Sequence, residues 1–131
     1  MIEPGLQATV EETVTEEMTA ERLGSGDVPV LGTPAVLALV EAAAVAAVAD
    51  HLEPGKTTVG ASVELEHVAP TAVGVEVAAT AALREVDGRR LRFGFEVTDL
   101  AGPIARGTHL RVVVDRRRFL AGTRDRAAQP R

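Results

Sequence analysis

The chain has no cysteine, no tryptophan and no tyrosine, and only three phenylalanines among its 131 residues. Without cysteine there is no disulfide, no thiol nucleophile and no Cys-type zinc site. With so few aromatics there is no platform on which bases could stack, and a net charge of -5 opposes a phosphate backbone, so no nucleic-acid partner is expected. The three histidines, His51, His67 and His109, show neither HxH nor HExxH spacing, and no GxGxxG or Walker-type loop occurs. No metal and no cofactor are therefore expected. The first residues, Met1-Ile2-Glu3-Pro4, lack the basic and apolar regions of a signal peptide, which makes the cytoplasm the expected location.

What is present is aliphatic. Apolar residues make up 46% of the chain, mostly Ala, Val and Leu, enough to bury a core in a protein of this length. A single domain over residues 1–119 is expected, with a polar, frayed tail over 120–131. The stretch from Thr33 to His51 is the long helix candidate. It is apolar all round except for one acid, Glu41, near its middle. From Pro34 to Ala49 it has 16 residues, short of the roughly 20 that a membrane span requires, so a buried helix is expected and no membrane partner. Pro34 suits a first helical position, which makes Thr33 the expected N-cap. Glu53-Pro54-Gly55 punctuates the far end, where His51 complements the helix dipole.

Around this helix the sequence reads as strands. Leu6 to Thr15 is one, and Glu16 to Leu23 is a short helical turn with Thr15 as its cap. After the helix, Val59 to Ala69 alternates, with Val59, Ala61, Val63, Leu65, His67 and Ala69 in one phase. Val73 to Leu83 follows with an apolar phase of Val and Ala. Asp87-Gly88 signals a hairpin into Leu91, Phe93, Phe95 and Val97. In the last strand Ile104, Thr108, Leu110, Val112 and Val114 share a phase with Arg106, while His109 and Arg111 fall in the other. The expected fold class is α+β: an antiparallel sheet of about five strands wrapped around one long central helix, the outline of a hot-dog fold. Such a sheet leaves an open edge and a half-covered helix, so a homodimer is expected.

Three residues stand out for chemistry. Burial among Leu37, Ala38, Ala44 and Val45 disfavours a charged Glu41 unless a donor pairs with it. His67 is a lone imidazole on an apolar strand face, a place that also suits a core residue. Thr33 adds a hydroxyl. Carboxylate, imidazole and hydroxyl together make a hydrolytic set. Thr33 and Glu41 are eight residues apart, about 12 Å along a helix, so a site built across a dimer interface is one way to unite them. His109 reads as structural. Arg89, Arg90, Arg92, Arg106, Arg111 and Arg116 to Arg118 read as a solvated face, available to a phosphate-bearing ligand.

From about Val30 to Phe119 the chain resembles the fluoroacetyl-CoA thioesterase-like family of hot-dog thioesterases. The likeness lies in Gly32-Thr33, Leu39-Val40-Glu41, Leu52-Glu53-Pro54-Gly55, Val59-Gly60, Glu66-His67-Val68-Ala69-Pro70-Thr71, Val86-Asp87-Gly88-Arg89-Arg90-Leu91 and Gly107-Thr108-His109. The resemblance implies a homodimeric acyl-CoA thioesterase without metal or redox cofactor, with Thr33, Glu41 and His67 as catalytic residues. It implies substrate contacts at Gly60 and, in the segment before the threonine, at Val28 and Leu31. The fluoroacetyl-specific member carries aromatic residues in that segment as a lid; here Asp27-Val28-Pro29-Val30-Leu31 has none. Hydrolysis of a small acyl-CoA is thus the implied activity rather than selectivity for a fluorinated one. Two alternatives are a non-catalytic acyl-CoA-binding protein and an enoyl-CoA hydratase. The hydratase pattern of Asp and His five residues apart is missing, since Ala46 follows Glu41 at that distance.

Overall fold

A computed structural model describes residues 1–130. Strand β1 (Gln7–Thr13) leads through a short 3-10 turn (Glu16–Met18) and α1 (Ala20–Leu23) to α2 (Thr33–Val48), which tightens into a 3-10 turn at Ala49–His51. Four long strands follow: β2 (Lys56–His67), β3 (Glu76–Asp87), β4 (Arg90–Asp99) and β5 (Gly102–Asp115). They form one antiparallel sheet with β1, in the order β1-β3-β4-β5-β2. The sheet curls around α2, and this is the hot-dog arrangement.

The register explains the core. Ala81 pairs with Phe95, Leu83 with Phe93 and Val97 with Ala105, so these side chains share one face, toward the helix. Val36, Val40, Ala43, Ala44 and Val48 meet them from α2 and are fully buried. The many alanines let helix and sheet approach closely. The larger groups, Phe93, Leu83 and Leu91, each contribute about 1.5–3 kcal/mol by leaving water. Asp87-Gly88 does turn the chain: β3 runs straight into β4, and Gly88 takes the left-handed conformation at φ 58°.

Four expectations change. The N-cap of α2 is Gly32, and Thr33 is already helical, which frees its hydroxyl from capping. Glycine fits closely at 32, where a Cβ would lie a tight 3.1 Å from the Ala20 backbone. A bulge between Gly60 and Ser62 switches the phase of β2, so Thr58, Gly60, Val63, Leu65 and His67 face inward, rather than Val59 and Ala61. In β5 the inward phase is Ala105, Gly107, His109 and Arg111, the one that looked less apolar. The segment expected to be a frayed tail is helical as α3 (Arg116–Ala127), capped by Asp115, which accepts from the Arg118 N–H.

By length and composition Thr33–His51 would also pass as a membrane span. Here one side of α2 fills the core. The other side, with Pro34, Ala38, Ala42 and Val45, is apolar yet exposed, and Glu41 sits within it half-buried.

Candidate active site

Two groups of side chains line the inner face near α2. The first forms at the helix start. Pro34 and the Gly32 cap fix the first turn so that Thr33 Oγ1 lies 2.8 Å from His67 Nδ1, at the end of β2. The other ring nitrogen, His67 Nε2, is buried and has no hydrogen-bond partner among the described residues. Such atoms are rare in folded proteins and are found where a ligand or water completes the site. A shallow surface depression adjoins the ring, lined by Val30, His67, Val68, Ala69 and Pro70.

The second group forms two helical turns along, at Glu41. Its Oε2 accepts from Arg111 Nη1 at 2.9 Å. Arg111 is only 6% exposed, and every part of its fork is held. Nε donates to Thr58 Oγ1 at 2.9 Å, Nη2 to the Thr58 carbonyl at 3.2 Å, and Nη1 also points at His109 Nε2 at 3.1 Å. Gly60 makes room for this cluster: a Cβ there would fall 2.5 Å from Glu41 Oε2.

His109 is the neutral member. It is 3% exposed, and its ring packs near Phe93 with centroids 6.4 Å apart. Its Nδ1 lies 2.8 Å from the Ser62 carbonyl, which can only accept, so Nδ1 carries the proton and Nε2 accepts from Arg111. Burial pushes the His109 pKa below its usual 6.5, and the Arg111 charge adds to this, against the raising effects of the Ser62 carbonyl and Glu41. Its 4.0 Å approach to Glu41 is therefore no ion pair at neutral pH.

The structure thus joins Thr33 to His67, but holds Glu41 apart within one chain. Gly60 sits under the Glu41 carboxylate, so the space above it is already filled. Leu31 is 1% exposed and belongs to the core, while Val28 stands half exposed before it. The arginines do not form one solvated face: Arg111 turns inward. Thr58, Ser62, His109 and Arg111 were not expected in the site. The one signal for them in the sequence is that His109 and Arg111, two apart on a strand, must share a face.

The geometry can be set beside known proteins. A family model described as fluoroacetyl-CoA-specific thioesterase matches residues 14–117, most of the chain. The chain belongs to this family. The fluoroacetyl-CoA thioesterase of Streptantibioticus cattleyicolor is 38% identical over 97 residues, 74% of this chain and 70% of that protein. A solved structure of a fluoroacetyl-CoA thioesterase superposes with a TM-score of 0.90 at 32% identity, covering 99% of both chains. A hot-dog-like protein from Thermanaerovibrio acidaminovorans superposes at 0.88 with 25% identity, over 98% of this chain and 94% of that one. Membership in the fluoroacetyl-CoA-specific thioesterase family supports a thioester hydrolase that acts on acyl-CoA. This chain carries no aromatic between Asp27 and Leu31.

Proposed function

We propose that the protein hydrolyses a short acyl-CoA to the free acid and CoA, and works as a homodimer whose sites each draw on both subunits. The observation that carries this reading is the split of the hydrolytic set. Thr33 and His67 form one half, and Glu41 forms the other, about 12 Å away along the same helix. Between them runs the exposed apolar side of α2. Among the described residues β2 pairs with β5 and leaves its outer edge free, and a second copy would cover both that edge and the helix. Glu41 of one subunit would then meet Thr33 and His67 of the other.

The chemistry follows from the groups. Water adds its oxygen to the acyl carbon, the C–S bond breaks, and a proton ends on the CoA thiol. Glu41 serves either as base toward that water or as nucleophile toward the carbonyl. If His67 Nδ1 donates to Thr33 Oγ1, the threonine proton is free to meet the developing oxyanion, and Nε2 can take up a proton for the leaving thiolate. The absence of an aromatic between Asp27 and Leu31 favours a short acyl group over a specifically fluorinated one.

Thiol release over a panel of short acyl-CoAs tests the activity. Hydrolysis lost in Glu41→Gln and His67→Ala supports the roles, whereas binding of CoA esters without thiol release overturns them. Mixing the two inactive variants tests the shared site. Half the dimers would be mixed with one intact site each, which restores about a quarter of wild-type turnover. No restoration after proven subunit exchange would rule out the cross-subunit arrangement.

A further inference from the structure

Of the two Glu41 carboxylate oxygens, only Oε2 is tied down. It accepts from Arg111 and packs over Gly60, while no hydrogen bond engages Oε1 among the described residues. A carboxylate held by one oxygen leaves the other open to a ligand. The holder is Arg111, and Arg111 is in turn held by Thr58 through both its hydroxyl and its carbonyl, and by His109 through a bare ring nitrogen. Arginine has five donors and no acceptor, so each of these partners must accept, and the neutral tautomer of His109 lets it do so.

We propose that Thr58 and His109 are positioning residues, which aim Arg111 so that Glu41 Oε2 is fixed and Oε1 is the oxygen that meets the substrate or its water. This rests on the thioesterase reading above and goes beyond it, since it names residues that never touch the acyl group. Thr58 is the cleaner lever. It is buried on β2 opposite Val113, one inward position before Gly60, and its hydroxyl engages the arginine Nε. Valine has nearly the same shape without the acceptor. In Thr58→Val the guanidinium loses one of its anchors, the carboxylate swings with it, and reacting groups displaced by a fraction of an ångström lose rate rather than substrate affinity.

The test is steady-state kinetics of Thr58→Val and Thr58→Ser with the best acyl-CoA of the panel, each variant first shown to be folded by circular dichroism and thermal melting. Thr58→Val is expected to lower kcat by about tenfold with KM within about twofold, and Thr58→Ser, which keeps the acceptor, to recover most of kcat. Adding Thr58→Val to Arg111→Met should cost nothing further, because the hydroxyl acts through the arginine. Wild-type kcat in Thr58→Val would overturn the proposal. So would a Ser variant as slow as the Val one, or full additivity with Arg111→Met. If the unmodified protein releases no thiol from any acyl-CoA, the thioesterase reading itself fails. If it does, and Glu41→Gln abolishes the reaction while Thr58→Val does not affect it, only the positioning role fails.

Discussion

Thr33 Oγ1 and His67 Nδ1 lie 2.8 Å apart although 34 positions separate them in the chain. The contact exists because Gly32, not Thr33, caps α2, so the threonine hydroxyl has no backbone amide to serve. Thr33→Ser keeps the hydroxyl and is expected to retain hydrolysis within about threefold, while Thr33→Ala leaves the imidazole without its partner and should lower kcat by about one to two orders of magnitude. Because Thr33 is exposed, neither change should move the melting temperature by more than a few degrees. Equal rates for the two variants would remove the hydroxyl from the mechanism.

Gly60 and Glu41 are coupled by space. A methyl group at 60 would sit 2.5 Å from Oε2, closer than atoms can pack, and would also crowd Arg111 Nη1 at 3.3 Å. Gly60→Ala is expected to keep the fold, since position 60 is exposed and the strand can carry alanine, at a cost of about 1 kcal/mol or less. Its hydrolysis should fall by about a hundredfold as the carboxylate is displaced. Denaturant unfolding and thiol release on the same preparation check both halves.

Stability should fall on the acid side through His109. Its folded-state pKa lies below 6.5, chiefly by burial, whereas the unfolded chain binds that proton near 6.5. The unfolded state therefore holds more protons in the window between the two values. The stabilisation is complete above about pH 6.5 and is lost as pH falls through the folded value. Protonation would also place an N–H opposite Arg111 Nη1. Urea unfolding at pH 7.5 and 5.5 is expected to show this loss in the wild type and a shallower one in His109→Gln. Parallel behaviour of the two proteins would remove His109 as its source.

The exposed side of α2 predicts the assembly. Val45 is 44% exposed in the single chain, on an apolar helix face, so Val45→Arg should fold with little loss as a monomer. If a second copy covers this face, the arginine is buried unpaired there, and the dimer should weaken by several kcal/mol. Sedimentation velocity at micromolar concentration is expected to show a dimer for the wild type and a monomer for the variant, with hydrolysis lost alongside. A wild-type monomer that still hydrolyses acyl-CoA would contradict the shared site.

Much of the fold can be read directly from the residues. The stretch after Pro34, apolar but for Glu41 and short for a membrane span, read as a central helix, and the alternation of Val77, Ala79, Ala81 and Leu83 against Leu91, Phe93, Phe95 and Val97 set two strands and their inward faces. Local rules work there because helix and strand periods are local. The same rules misplaced β2 and β5. One extra residue in a bulge changes the phase of β2, so Thr58 and Gly60 face inward in place of Val59 and Ala61 while Val63, Leu65 and His67 keep the expected face, and nothing in Gly60-Ala61-Ser62 marks the slip. In β5 the apolar phase pointed away from α2, because the inward face is occupied by His109 and Arg111, whose burial is compensated by partners on β2 and α2.

By itself, then, the sequence determined the helix, the succession of strands along the chain and, through the family resemblance, the choice of Thr33, Glu41 and His67 as candidates. Only the tertiary structure decided what those residues touch. The Thr33–His67 bond spans 34 positions, Glu41–Arg111 spans 70 and Thr58–Arg111 spans 53. All three depend on how distant segments are brought together, and the cluster around Arg111 depends also on the missing Cβ at Gly60 and on the tautomer of buried His109. Those are properties of atoms brought together across the sheet, and local periodicity carries no information about them.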